Sequence, residues 1–333
     1  MAQFGAMDAG KVAPSLAQAE WLRLGYGLFV HFGPWTFSGG ADGKFPAERV
    51  HAPELDMRKW ARLAAESGMR YAVLTAKHVD GFCLWPSRRT EYSVASTPAR
   101  RDWVAEFVEA FSAEGLKVGL YYALLDRNCA FFEDDARYAE YVRDQVEELL
   151  TGYGEVIELW FDGAWDKDHP TRDWPHDPAW APTGARWQWN DLYQHIHRIQ
   201  PRCLVIQNSS SDRPGVPNYP PVDVRTAEQF DFVWQERLCA PRLDPIFPSE
   251  SGPVFLPLEY CTTLTPGWFW QAGACYSHVS AETIAGWRQR AAQQGANLLL
   301  NIGPDISGRI PEYHRSFLLE AERRVRAGDL ARK

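Results

Sequence analysis

The chain has 333 residues, of which 45% are hydrophobic and 23% charged, as is typical of a folded globular protein and not of a disordered one. Its formal net charge is −8 and it has no block of basic residues, so we expect no binding to nucleic acid or to an anionic membrane. Its apolar runs are far shorter than the roughly 18 residues of a membrane span, and residues 1–20 lack the apolar core of a signal peptide. These features predict a cytoplasmic protein.

Cysteine and tryptophan usage adds two constraints. The six cysteines are scattered and no two have the CxxC spacing of a zinc ribbon or a thioredoxin-type site, so we expect isolated thiols. Fifteen tryptophans is an unusually large number. Tryptophan packs protein cores, but it also provides flat apolar faces for ligands such as sugars.

Short apolar runs alternate with amphipathic segments along most of the chain. Runs bounded by glycine and apolar on both faces are typical of buried parallel strands. They predict strands at 26–33, 71–78, 117–124, 156–162, 203–208 and 297–302, and helices at 56–67, 102–114, 135–150, 190–199, 281–294 and 312–326. Seven or eight βα units in this length favour a (β/α)8 barrel over a doubly wound sheet, and no GxGxxG motif follows the first strand.

Two stretches interrupt this alternation. Residues 164–187 are rich in Pro, Trp and Asp, and residues 209–253 contain eight prolines and little periodicity. Loops this long in a compact domain are usually functional or mobile. We expect both to rise from the carboxyl-terminal face of the barrel, where barrel active sites lie.

Polar side chains stand at the ends of four predicted strands. Each has an ordinary structural explanation of its own, as a turn residue or a packed side chain, but the strand ends of a barrel surround one bowl. Polar groups from four strands would therefore converge there. They are His31, His78 with Lys77 and Asp80, the pair Tyr121 and Tyr122, and Asp162 with Trp160.

These residue types limit the chemistry of the bowl. Two histidines and an aspartate could bind zinc, but the first strand lacks the His-x-His pair usual in barrel metallohydrolases, so we expect no metal. No GxSxG motif is present, which disfavours acyl transfer. Carboxylates among aromatic and histidine side chains suit glycoside hydrolysis, which needs no cofactor.

The sequence resembles glycoside hydrolase family 29, the α-L-fucosidases. The resemblance covers about residues 21–311 and is carried, in order, by GLFVHFGPWTF, YAVLTAKHVDGFCLWPSRRTEYSV, RRDWVAEFVEAFSAEGLKVGLYYAL, VIELWFDGAW and GANLLLNIGPDISGRIP. It implies a (β/α)8-like TIM barrel as the catalytic domain, at 21–330 after an N-terminal extension at 1–20. Many members also have a C-terminal β-sandwich, which we do not expect here because the sequence ends soon after the last predicted helix.

The resemblance assigns roles to residues of the matched motifs. It implies that Asp162 is the nucleophile and that Trp160 lies beside the sugar. His31 and His78 match family histidines that bind the substrate. Phe29 lies two residues before His31, so strand alternation places it on the same face, where the family forms an apolar pocket for the fucose methyl group.

Two further positions are expected to contact the substrate or the nucleophile. Tyr121 and Tyr122 match the family's tyrosine pair, and either could bond Asp162. Tyr122 is preferred because it lies nearer the strand end. Trp268, within LPLEYCTTLTPGWFW, is a further expected sugar contact.

The acid/base is harder to place, since in many members it is a glutamate in a variable loop. Glu228, in VDVRTAEQF, resembles the family's threonine-proline-glutamate pattern and is the first choice. Glu259 is the alternative, since it matches a tryptophan-glutamate motif in which Leu258 replaces the tryptophan, and it is otherwise expected to bind substrate. Glu236 and Glu250 are further candidates.

Three departures from the family pattern affect the sugar contacts. Val79 replaces a histidine, residues 41–50 lack the usual glutamate-tryptophan pair, and no arginine is evident after the fifth strand. The predicted function is a retaining exo-glycosidase, with an α-L-fucosidase favoured. The alternatives are the same mechanism on L-galactose or another 6-deoxy sugar, and a sugar-binding pseudo-enzyme.

Overall fold

Eight parallel strands form the centre of the protein. The computed structural model describes residues 12–39, 44–163, 184–208, 215–228, 244–249, 252–264, 267–273 and 279–328. Its strands are β1 (Tyr26–Val30), β2 (Tyr71–Lys77), β3 (Lys117–Ala123), β4 (Glu158–Asp162), β5 (Leu204–Gln207), β6 (Arg225–Glu228), β7 (Ile246–Ser249), β8 (Gly252–Phe255), β9 (Leu258–Thr263) and β10 (Asn297–Ile302).

All of these strands except β7 and β8 belong to one sheet. Its order is β5-β4-β3-β2-β1-β10-β9-β6, and every neighbouring pair is parallel. A parallel bridge between Ile206 and Val224 joins the two outer strands, so the sheet closes on itself. The closed parallel sheet is the barrel that the sequence predicts. β7 and β8 form a separate antiparallel hairpin between β6 and β9.

The described residues form eight α-helices, one before β1 and seven after six of the barrel strands. They are α1 (Leu16–Leu22), α2 (Pro34–Ser38), α3 (Met57–Glu66), α4 (Trp103–Ala113), α5 (Asp135–Gly152), α6 (Trp189–Ile199), α7 (Ala281–Gln293) and α8 (Glu312–Ala327). Asp56, Asp102, Asp134 and Ser280 each accept a backbone N–H bond at a helix start, as their residue types favour. Within the described ranges, no helix is both long and apolar enough to cross a membrane.

Strand alternation divides the apolar residues into two cores. On β1, Leu28 and Val30 pack with the layer between sheet and helices, whereas Phe29 belongs to the cluster inside the barrel. Trp160 on β4 and Tyr121 on β3 are also in the interior cluster. Successive side chains on a strand point to opposite faces, so each strand supplies both cores.

The predicted strands and helices are found with ends shifted by a few residues at most. The expectation of an unstructured stretch at 209–253 is wrong in part, because barrel strand β6 lies within it. β6 is only four residues long and reads RTAE, so it has no apolar run to reveal it. Residues 164–183, 209–214, 229–243 and 250–251 of the two predicted loops lie outside the described residues.

Candidate active site

Asp162 is the last residue of β4 and lies at the carboxyl-terminal mouth of the barrel. Its Oδ2 accepts a hydrogen bond from the Tyr121 hydroxyl at 2.7 Å, and its Oδ1 accepts one from Asn208 Nδ2 at 3.1 Å. The side chain is partly exposed. Both donors are neutral, so they orient the carboxyl group of Asp162 without forming an ion pair with it.

Glu228 lies close to Asp162. It is the last residue of β6, is partly exposed, and its Oε2 accepts a hydrogen bond at 2.5 Å from Asn208 Nδ2, the atom that also bonds Asp162. Two oxygens bonded to one nitrogen cannot be further apart than the sum of the two bond distances. The near oxygens of the two carboxylates are therefore closer together than the roughly 6.5–9.5 Å that separates an inverting pair.

Asn208 is a site residue that the sequence analysis missed. It directly follows β5, which lies between β4 and β6 in barrel order, so the fold places its side chain between the two acids. Thr226 Oγ1 donates to its Oδ1 at 3.3 Å, which turns the amide nitrogen toward the carboxylates, and Asn218 Nδ2 donates to its backbone oxygen at 3.1 Å. The sequence signal that could have identified Asn208 is a polar residue at the end of a strand.

His31 is fixed by a residue from the last strand. Its Nδ1 donates to Asn301 Oδ1 at 2.7 Å, and Asn301 Nδ2 in turn donates to Thr263 Oγ1 at 2.9 Å and to the Trp268 backbone oxygen at 2.8 Å. Burial lowers the pKa of His31 to about 3, although its bond to Asn301 acts in the opposite direction. The ring is therefore neutral at pH 7, and with its proton on Nδ1 it presents Nε2 as a hydrogen-bond acceptor.

His78 lies in an aromatic enclosure beside His31. Its ring stacks on Tyr121 at a centroid distance of 5.7 Å and meets the edges of Trp35 at 4.6 Å and Phe269 at 4.8 Å. Burial lowers its pKa well below the usual value, and the neighbouring His31 acts in the same direction. Among the described residues its buried Nδ1 has no hydrogen-bond partner.

The predicted aromatic residues form one cluster beneath and beside these groups. Trp160 stacks on Tyr121 at 5.5 Å and contacts Phe29 at 5.3 Å. Trp268 stacks on His31 at 5.1 Å and meets Phe29 at 6.1 Å. The fold thus brings five of the predicted contacts together: Phe29, His31, His78, Trp160 and Trp268.

The preference for Tyr122 as the partner of Asp162 is wrong. Tyr121 makes that bond, whereas Tyr122 points out of the barrel toward α5, where its hydroxyl donates to Gln145 Oε1 at 2.7 Å. Adjacent residues on a strand face opposite sides, so only one of the two tyrosines can reach the mouth. Burial and the charge of Asp162 raise the pKa of Tyr121 well above its usual value, which keeps it a donor.

Glu259 does not face the mouth, which corrects both roles predicted for it. It is fully buried inside the barrel. Its Oε1 accepts from the Tyr71 hydroxyl at 2.6 Å and its Oε2 from the Trp160 indole N–H at 3.0 Å. It therefore supports Trp160 from below. Glu236 and Glu250 lie outside the described residues.

A cleft among the described residues lies away from this mouth. It measures about 870 Å³ and opens at the amino-terminal ends of the strands, beside Gly25, Leu116 and Arg288. Barrel enzymes carry out their chemistry at the opposite end. The convergent carboxylates, and not cavity size, therefore mark the candidate site.

A closed parallel barrel with acids, histidines and aromatic residues at its carboxyl-terminal mouth has the organisation of a (β/α)8 barrel enzyme. The family model for alpha-L-fucosidase matches residues 44–323. Alpha-L-fucosidase 1 of Arabidopsis thaliana is 30% identical over 96% of this chain and 62% of its own length. The chain therefore belongs to the alpha-L-fucosidase family, glycoside hydrolase family 29.

Solved structures agree with this membership. Alpha-L-fucosidase isoenzyme 1 from Paenibacillus thiaminolyticus superposes with a TM-score of 0.75 at 29% identity, over 94% of this chain and 76% of that one. A glycoside hydrolase 29 family member from an unknown rumen bacterium superposes with a TM-score of 0.76 at 28% identity, over 94% of this chain and 57% of that one. The chain spans about three fifths of the length of the Arabidopsis and rumen proteins.

Proposed function

We propose that this protein is a retaining exo-glycosidase that hydrolyses terminal α-L-fucosides. The observation that carries the proposal is the single Asn208 amide that bonds both Asp162 and Glu228. Retaining glycosidases need two carboxyl groups roughly 5–5.5 Å apart, because one must attack the anomeric carbon while the other protonates the leaving oxygen. Membership of the fucosidase family supports the choice of sugar.

In the first step, Asp162 attacks the anomeric carbon of the fucoside. The bond from that carbon to the leaving oxygen breaks, and protonated Glu228 gives its proton to this oxygen. The product is a covalent fucosyl ester on Asp162 and a released alcohol. Tyr121, which donates to Asp162, orients the attacking carboxylate.

In the second step, ionised Glu228 takes a proton from water as the water oxygen attacks the anomeric carbon. The bond to Asp162 breaks and leaves its carboxylate free. Glu228 is protonated again and ready for the next substrate. Two inversions at the same carbon retain its configuration, and the scheme requires no cofactor.

The sugar ring would contact neutral side chains. His31 and His78 are both kept uncharged by burial, so each can exchange hydrogen bonds with sugar hydroxyls without adding a positive charge beside the carboxylates. Phe29, Trp160 and Trp268 supply an apolar wall for the fucose methyl group and ring face.

A related sugar is the second candidate substrate, and Val79 favours it. This residue replaces a family histidine and is 7% exposed in the interior apolar cluster. An apolar side chain there cannot donate to a hydroxyl. L-galactose or another 6-deoxy sugar is therefore the alternative, with the same two carboxylates acting.

Proton NMR of the first-formed sugar tests the mechanism. The protein is mixed with an aryl α-L-fucoside and spectra are recorded before the product anomers equilibrate. We expect α-L-fucose first, from retention. If the β-anomer forms first, the enzyme inverts and the proposed pairing of Asp162 with Glu228 is wrong. A panel of aryl glycosides run beside it identifies the preferred sugar.

A further inference from the structure

One amide nitrogen contacts both of the carboxylates to which the proposed function gives the chemistry. Asn208 Nδ2 lies 3.1 Å from Asp162 Oδ1 and 2.5 Å from Glu228 Oε2. A primary amide has two N–H groups, so it can donate one to each acid. Asn208 is 5% exposed and is anchored through Thr226 and Asn218, so the donor is held in place before substrate binds.

We propose that Asn208 is a positioning residue that donates to both acids throughout the reaction. This inference rests on the proposed function and adds a third participant to it. By bonding Glu228 Oε2, the amide leaves Oε1 to carry the proton that moves to and from the leaving oxygen. By bonding Asp162 Oδ1, it orients the carboxylate that attacks.

The physical reason is the charge that builds up on these two groups. In the first step Glu228 becomes ionised as it loses its proton, and in the second Asp162 becomes ionised as the ester breaks. A preorganised neutral donor stabilises whichever of the two acids carries the developing charge, without reorganisation. Hydrogen bonds to charged groups are stronger than neutral ones, so one amide can affect both steps.

Two variants separate donation from packing. Asn208→Asp keeps the shape of the side chain and still offers an oxygen to the Thr226 hydroxyl, but it replaces the donor with an acceptor facing two carboxylates. Asn208→Leu removes the donor without adding charge. We expect kcat/KM to fall about 100-fold in Asn208→Leu, as when one preorganised donor is lost, and at least about tenfold further in Asn208→Asp.

A packing role would give the opposite order. The isosteric Asn208→Asp would then be the more active variant, and this result would overturn the proposal. Should Asn208→Leu fail to fold by circular dichroism, Asn208→Ala takes its place with the same expected order. Activity within a factor of about three of wild type in Asn208→Asp would also overturn it.

The neighbouring amide provides a matched control. Gln207 is also buried, and its Oε1 accepts from the backbone N–H groups of Asn218 and Tyr219. Gln207→Glu makes the same amide-to-acid exchange one residue earlier, where the side chain bonds a backbone segment and not the acids. We expect any loss of thermal stability in this variant to leave kcat/KM within a few-fold of wild type.

The proposed function is tested separately by Asp162→Gly in the same assay. If Asp162→Gly is inactive and Asn208→Asp is nearly fully active, the inference about Asn208 fails while the proposed function stands. If Asp162→Gly is itself active, the proposed function fails, whatever the Asn208 variants show.

Discussion

Two pairs of carboxylic acids lie inside this barrel at different heights. Asp162 and Glu228, the mouth pair, are partly exposed at the strand ends and share the Asn208 amide. Glu158 and Glu259, the floor pair, are fully buried nearer the strand starts. Glu158 lies four residues before Asp162 on β4. Both side chains are on the same face of the strand, so the two acids differ in their height along the barrel axis.

The floor pair is surrounded by neutral donors and aromatic rings. Glu259 accepts from Tyr71 and Trp160, and Glu158 Oε2 accepts from the Trp21 indole N–H. Burial raises the pKa of Glu259 to about 7, and burial together with the charge of Glu259 raises that of Glu158 well above its usual value. The pair therefore holds protons that exposed carboxylates lose.

Two glycines make room for the floor side chains. A Cβ atom on Gly119 would lie 2.6 Å from Glu158 Cγ, and one on Gly27 would lie 2.4 Å from the Tyr71 ring. Neither approach is possible for a larger residue without displacing the buried side chain. The floor is thus a packed polar layer that supports Trp160, and the mouth is the open layer in which chemistry can occur.

Removing the mouth acid on β4 should have the largest effect. We expect Asp162→Gly to fold and to lose at least about a thousandfold in kcat, because no nucleophile remains. Azide or formate, which can occupy the vacated space, should restore part of the activity. The measurement is turnover of an aryl α-L-fucoside with and without azide. Retention of more than about a tenth of wild-type activity would show that Asp162 is not the nucleophile.

Glu228→Gln should show a loss that depends on the leaving group. Without a proton donor, kcat/KM should fall about 10²–10⁴-fold for a poor leaving group and much less for a good one. The assay compares phenyl with 4-nitrophenyl α-L-fucoside. Glu158→Gln, in the floor pair, should give the same ratio between the two substrates as wild type. Equal losses on both substrates in Glu228→Gln would assign the acid role elsewhere.

The floor pair should instead control the pH dependence of stability. Because the folded pKa of Glu259 is above its unfolded value, the folded state binds more protons between about pH 4.5 and 7, and the free energy of unfolding falls as pH rises through this window. Glu259→Gln should remove the contribution of Glu259 to that fall, roughly 3 kcal/mol, while Glu158, whose pKa is also raised, contributes the rest.

Urea unfolding at pH 5 and pH 7.5 measures the slope of the free energy of unfolding against pH. The exposed Glu282→Gln, in the first turn of α7, serves as the surface control and should leave the slope as in wild type. A slope that is unchanged in Glu259→Gln would mean that the floor acid is ionised in the folded protein across this range.

The two adjacent tyrosines of β3 test the inner and outer faces of one strand. Tyr121→Phe removes a hydrogen bond to the charged Asp162, worth about 1.5–3 kcal/mol, so kcat/KM should fall roughly 10–100-fold. Tyr122→Phe removes the contact with Gln145 outside the barrel and should lower the melting temperature with little effect on kcat/KM. The reverse pattern would contradict the assigned faces.

The smallest expected effect concerns sugar preference at Val79. Since a hydroxyl contact is missing, we expect wild-type kcat/KM on simple aryl α-L-fucosides to be below the ordinary enzyme range of about 10⁴–10⁸ M⁻¹s⁻¹. Val79→His should raise it several-fold or change the preferred sugar. A wild-type value inside that range would remove the basis for altered specificity.

Much of the barrel could be predicted because its strands are apolar on both faces and its helices carry capping residues. β10 is found at the predicted residues, 297–302, and α3 begins at Met57, one residue after the predicted helix start at Asp56. The strand β6 could not be predicted, because four residues with two charged side chains pair only when β9 lies beside them. Residues 225–228 therefore form a strand because of the neighbouring strand and not because of their own sequence.

For the site, the sequence by itself determined which side chains stand at strand ends, among them Asp162 and His31, and the family resemblance added Phe29. Only the tertiary structure decided which of Tyr121 and Tyr122 faces inward, because a strand shows alternation without showing which face is inside. It also decided that Asn208 lies between two acids distant in sequence, since that depends on β5 separating β4 from β6. Motifs specify local chemistry, whereas closure of the barrel brings remote groups within hydrogen-bond distance.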